Sequence, residues 1–331
     1  MLRAWSIPQV SRSAGGDKAL SFSEEVCLPY LLAAQNADGG WGFRSGTQSR
    51  IEATAWVVIA LKQVFSTSAA GDAIARGLGF LRDAQLSDGS WAAAPGQTQG
   101  SSVTSLGCWA FLAANENREG LRRGLSWLVA ARPGDSGTWW RLMRRFNRDK
   151  KVSQQNDAYW GWSWTAGTAS WVEPTAQALL VLREAPAELR PAGSEQRLKL
   201  GEAMLFDRMC PGGGWNCGNP MVYGVAGEPQ VSTTVWPLLA LRGSAERSEI
   251  QQSLAWIERN WGSVRSAASL ALSQIALNAF DRGHAAFDST LRGLYAPDAI
   301  SWSVPVAAWA ALAESGTKFW MRSAAAAEKA N

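Results

Sequence analysis

The chain has 331 residues, 47% hydrophobic and 18% charged, a balance that excludes intrinsic disorder and allows a large core. A net charge of +4 is mild and does not call for a nucleic-acid partner. Four cysteines are too few for a disulfide scaffold of this length and suit a reducing, cytoplasmic setting. The first residues do not read as a secretory leader and no run of 18 apolar residues occurs, so neither a leader nor a transmembrane helix is expected.

In chain order, residues 1–18 are rich in Ser, Gly and Arg and read as a flexible arm. From residue 19 to 316 one pattern recurs: an amphipathic helix, a Gly/Asp turn ending in Trp, a polar loop, then an apolar helix opening on small hydroxyl residues. The first unit has the turn Asn36–Phe43 and the second helix Arg50–Leu61. The second has Leu86–Ala93 and Ser101–Ala114. In the third, Gly134–Trp140 reads as the turn, an insertion follows over 139–159, and Ser170–Leu182 is the second helix. The fourth has Pro211–Gly218 and Ser232–Leu241, the degraded fifth has Ser263–Leu277, and the sixth has Ala296–Trp302 and Val304–Gly316. Residues 317–331 read as an Ala-rich tail.

The second helices carry almost no charge beyond their first turn, so they must be buried; the first helices keep a charged face for water. Six such pairs predict an all-α fold, an (α/α)6 toroid with an inner and an outer ring, against the alternative of an open solenoid. The 19 tryptophans fit this scheme, because each turn places one over a helix junction.

Two turns have the form Gln35-x-x-Asp38-Gly39-Gly40-Trp41 and Gln85-x-x-Asp88-Gly89-Ser90-Trp91. Glycine supplies the left-handed turn, Asp folds onto nearby backbone N–H groups, and Gln reaches a neighbouring turn; these are staples rather than catalysts. The motif resembles the QW repeat of squalene-hopene and oxidosqualene cyclases, in the superfamily that includes protein prenyltransferase β subunits. That resemblance implies a central cavity at the N-terminal ends of the inner helices, often accepting an isoprenoid.

In such cyclases the resemblance implies a proton-donating acid in a DxDD-T-A motif. None occurs here; the nearest segment is Trp171-Val172-Glu173-Pro174-Thr175-Ala176, in which Glu173 takes the middle acid position. Glu173 is therefore the candidate catalytic acid, with Trp162, Trp164 and Trp171 as rings able to stabilise a cation. A second reading stays open: Ser170-x-x-Glu173, like Ser49-x-x-Glu52, has the form of a helix capping box. Arg141, Arg144 and Arg145 in the insertion form a surface face, a diphosphate head-group contact, or a patch for an anionic membrane. Asn216, Asn219 and Tyr223 line a mouth of the barrel or merely stabilise their own loop.

A zinc prenyltransferase is not expected, since His284 is the sole histidine and no Asp-x-Cys pair precedes it on an inner helix. No metal ligand set, GxGxxG or P-loop is present, and no cofactor is expected. The partner implied is an isoprenoid or prenyl diphosphate. Two functions compete: an isoprenoid-handling cyclase or prenyltransferase-like enzyme, and a toroid that kept the fold as a lipid-binding or scaffold module.

Overall fold

The computed structural model describes residues 20–139, 142, 155–295 and 302–316. The arm and the tail lie outside them. Among the described residues, twelve α-helices alternate between two rings. The outer ring holds α1 (Leu28–Ala33, continuing a π-helical turn Ser23–Cys27), α3 (Ser68–Asp83), α5 (Arg118–Ala130), α7 (Ser194–Asp207), α9 (Ser248–Trp261) and α11 (Phe287–Leu294). The inner ring holds α2 (Ile51–Val64), α4 (Val103–Ala114), α6 (Val172–Glu184), α8 (Val231–Ala240), α10 (Ala267–Ala279) and α12 (Val304–Ser315).

Each inner helix packs on the next, and α12 returns to pack on α2, so the ring is closed and the open solenoid is excluded. Two features fasten the closure. Glu314, near the end of α12, accepts the backbone N–H groups of Phe22 and Ser23 at 2.8 and 2.7 Å. At the other end the Val304 N–H donates to the Phe43 carbonyl at 2.9 Å.

The core lies between the rings and along the axis. Ten of the fourteen residues of α2 are buried, as the uncharged sequence of the inner helices requires. The first four outer-to-inner connections carry long loops at one end of the barrel, where the inner helices begin. A two-stranded hairpin, β1 (Met221–Val222) with β2 (Val225–Ala226), extends the fourth of these loops.

The staples repeat with one geometry. The indole N–H groups of Trp41, Trp91, Trp162 and Trp215 donate to the carbonyls of Leu31, Leu81, Leu128 and Leu205 at 2.7–2.8 Å. Their backbone N–H groups donate to the hydroxyls of Thr54, Thr104, Thr175 and Thr234 at 2.9–3.0 Å. The side chain of Gln35 donates to the Gly39 carbonyl at 2.8 Å and to the Ala73 carbonyl of the next outer helix at 2.9 Å; Gln85 does the same with Gly89 and Gly120. Gly39 sits at φ +84°, and a Cβ there would meet the Arg76 carbonyl oxygen at 2.6 Å.

The third repeat corrects the sequence reading. Its staple is Trp162, not the tryptophans of Gly134–Trp140; Trp139 is 72% exposed. The insertion falls between the turn's aspartate and its tryptophan, and this separated two parts of one motif. Asp135 still does the aspartate's work, accepting the N–H and hydroxyl of Ser170 at 3.0 and 2.9 Å.

Candidate functional site

Inner helices α2, α6 and α8 share a register set by their staple threonines. Two residues before the threonine stand Glu52, Glu173 and Ser232; two after stand Trp56, Gln177 and Trp236. Residues four apart share a helix face, so each second-set residue lies one turn deeper than its first-set partner. Glu52 and Glu173 therefore lie near each other at the start of their helices, close enough for one charge to act on the other, and a deeper layer crosses the axis.

That deeper layer is aromatic. Trp56 stacks on Trp236 with centroids 5.1 Å apart, Trp109 of α4 meets Trp56 at 5.6 Å, and Trp309 of α12 meets Trp56 at 5.9 Å and Trp236 at 6.4 Å. Trp56, Trp109 and Trp236 are at most 2% exposed. Four inner helices thus close the barrel axis with indoles, leaving a mouth above a tryptophan floor rather than a channel.

Glu173 is partly accessible, and Gln177 donates to its Oε1 at 3.0 Å. Enclosure by protein, reinforced by the charge of Glu52, pushes the Glu173 carboxyl up to about 8; the Gln177 hydrogen bond pulls the other way and does not offset this. Burial also raises Glu52 above the ordinary glutamate range. At about 8 the Glu173 carboxyl is the one that holds its proton at neutral pH.

The capping-box alternative does not form in either helix. The Ser170 N–H that a capping glutamate would take is held by Asp135, and neither the α2 nor the α6 N-cap residue makes a side-chain cap hydrogen bond. The Ser49 hydroxyl likewise goes to Asp38, at 2.7 Å. Neither glutamate serves as a cap.

The other candidates are distributed unevenly. Trp162 is buried as a staple, with the Arg197 guanidinium 3.9 Å from its ring centre. Trp171 starts α6, its N–H bonded to the Trp162 carbonyl at 2.9 Å. Trp164 is 40% exposed on the rim, and its carbonyl accepts the Ser102 N–H. Asn216 accepts from the N–H groups of Gly218 and Asn219, both at 3.0 Å, and so closes its own loop; Asn219 is held by Gln155. Tyr223 stands 68% exposed at the hairpin tip. Arg141, Arg144 and Arg145 lie outside the described residues. His284 stacks on Trp261 at 3.7 Å, and no cluster of three metal-binding side chains exists among the described residues. The sequence reading took Glu52 only as a possible cap, although its Ser-x-x-Glu-x-Thr-Ala spacing equals that around Glu173.

Comparison with known proteins agrees with this architecture. The family model of the squalene-hopene cyclase C-terminal domain matches residues 16–147. The drimenyl diphosphate synthase of Streptantibioticus cattleyicolor is 38% identical over 90 residues, which is 27% of this chain and 15% of that protein's length. The type II terpene cyclase MstE from Scytonema, in complex with geranylgeranyl dihydroxybenzoate, superposes with a TM-score of 0.55 at 14% identity, over 89% of this chain and 95% of that one. The ent-copalyl diphosphate synthase from Streptomyces platensis gives 0.51 at 18% identity, over 81% of this chain and 50% of that one. The chain is squalene-cyclase-like in its repeats and has the terpene cyclase fold. No helix among the described residues is long and apolar enough to cross a membrane.

Proposed function

We propose that the chain is an isoprenoid-handling enzyme of the terpene cyclase type, in which Glu173 donates the proton that starts the reaction. The observation that supports it best is a carboxyl held protonated at neutral pH at the mouth, one helical turn above a floor of tryptophans. The Glu173 O–H proton would pass to one carbon of a substrate double bond, leaving a carboxylate and a carbocation. The π electrons of the next double bond would close a ring, and the final cation would lose a proton from an adjacent carbon to water. A raised pKa keeps the proton available but makes its release harder. Trp171, beside Glu173 at the start of α6, would lower the cost of the cation as it forms. Glu52 would act as a positioning residue, its charge opposing ionisation of Glu173 until substrate is bound.

Phe43, Trp164 and Tyr223 stand exposed around the rim, which supports delivery of an apolar substrate from a lipid surface. Sedimentation with anionic vesicles tests this; protein left in the supernatant would refute it. The test of the activity is incubation with geranyl, farnesyl and geranylgeranyl diphosphate and with squalene, read by mass spectrometry beside Glu173→Gln. A new product absent from the variant supports the reading.

One observation favours the alternative of a non-catalytic lipid-binding or scaffold toroid: the indoles fill the barrel axis. Thermal stabilisation by an isoprenoid without product would select it.

A further inference from the structure

Glu52 and Glu173 occupy the same place in two helices. Each is the second residue of its inner helix and stands two positions before the staple threonine. The residue four positions on, which shares the glutamate's face of the helix, differs between them. It is Trp56 in α2 and Gln177 in α6. Trp56 stacks on Trp236 in the aromatic floor. Gln177 is 3% exposed, and its Nε2 donates to Glu173 Oε1 at 3.0 Å. A buried amide is tolerated only where its polar atoms are used, and Glu173 is the partner of this one.

A protonated carboxyl has two unlike oxygens. One is a carbonyl that only accepts; the other carries the proton and donates. An N–H group aimed at the pair takes the carbonyl, whose lone pairs are the stronger acceptor. The Gln177 amide therefore makes Oε1 the carbonyl and Oε2 the hydroxyl. Oε2 has no partner among the described residues, and Glu173 is partly accessible. No neighbouring charge on the same ring of helices competes. Inner helices α4 and α8, packed on α6, carry no charged residue. The outer helix α7 carries Glu195, Arg197, Lys199, Glu202 and Asp207, and none of them perturbs the Glu173 carboxyl. The charge that does act on it is Glu52, from α2.

We infer that Gln177 is a positioning residue for Glu173: its amide confines the acidic proton to Oε2, the oxygen left open to a ligand. The inference rests on the reading of Glu173 as the proton donor and adds what aims the proton. It also separates two glutamates of equal register, since Glu52 has an indole where Glu173 has an amide. The bond strengthens when the proton leaves, because an ionised acceptor holds a donor more tightly than a neutral one. Gln177 thus aims the proton and steadies the carboxylate left behind.

Infrared difference spectroscopy of the whole chain tests it without turnover. Subtracting the spectrum of Glu173→Gln from that of the wild type, below neutrality, isolates the carboxyl C=O stretch of Glu173. The expected band lies at the low wavenumber of a hydrogen-bonded carbonyl. Gln177→Met keeps the length of the side chain and loses the donor. Read against its own Glu173→Gln partner, it should move the band to higher wavenumber. The pH at which the band is lost should rise by about one unit, because the ionised form gives up a charge-assisted hydrogen bond. A wild-type band at the wavenumber of an unbonded carbonyl overturns the inference, because the amide would then be accepting the Glu173 O–H; this criterion holds even if Gln177→Met does not fold. A band and midpoint unchanged in a folded Gln177→Met also overturn it. No carboxyl band at all below neutrality overturns both this inference and the proton donor. The expected bands with no product from any isoprenoid leave the positioning intact and sink only the donor.

Discussion

Replacing Glu173 by glutamine should change how stability depends on pH. Glutamine keeps the shape and can still accept the hydrogen bond from Gln177. In the folded chain Glu173 ionises near 8, whereas unfolded it would ionise near 4.5. Between those values the folded state binds the extra proton, so wild-type stability falls as pH rises through the window. Glutamine has no proton to lose and escapes this fall. Linkage across the shift implies that the variant gains about 3 kcal/mol relative to wild type between pH 5 and pH 8. Urea unfolding of both proteins at unit pH steps, with equal slopes, would measure the difference. A stability gap independent of pH over that range would show that Glu173 titrates as an ordinary glutamate, and the argument for a held proton would fail.

Turnover, where detected, should be flat below neutrality and fall as pH passes about 8, because the active form is the protonated acid; Glu52→Gln removes a like charge and should move that fall to lower pH. Trp236→Ala should cost about 3–5 kcal/mol in urea unfolding and leave an apolar space on the axis, detectable by benzene binding; an unchanged midpoint would contradict a packed floor. Gly39→Ala should lower the melting temperature, because a Cβ meets the Arg76 carbonyl and the backbone is left-handed; the same change at Gly46, with open space around it, isolates the backbone part.

The ring of paired helices was legible because a helix with charge on one face and a helix with none cannot exchange places. The staples were legible for the same physical reason: glycine, aspartate and tryptophan each do one thing in that turn. The third repeat misled because an insertion moved Trp162 far from Asp135, and a nearer Trp-Trp pair took its place in the reading. Ser170 and Ser49 suggested caps, but hydroxyls bond whichever acceptor comes nearest, and Asp135 and Asp38 arrive from turns distant in sequence. The tryptophan floor was hidden because Trp56, Trp109, Trp236 and Trp309 look like ordinary apolar residues of their own helices; only closure brings them together. Arg197 gave no signal at all, since its partners Trp160 and Trp162 lie 37 and 35 positions away and attract it by ring faces rather than by charge.

The most direct test of the central claim is incubation of the purified chain with the isoprenoid panel in deuterated water, with products weighed by mass spectrometry. The account predicts a cyclised product carrying one deuterium from the exchangeable Glu173 carboxyl, and no product from Glu173→Gln. A product that forms equally in the variant, or that carries no solvent deuterium, would contradict it.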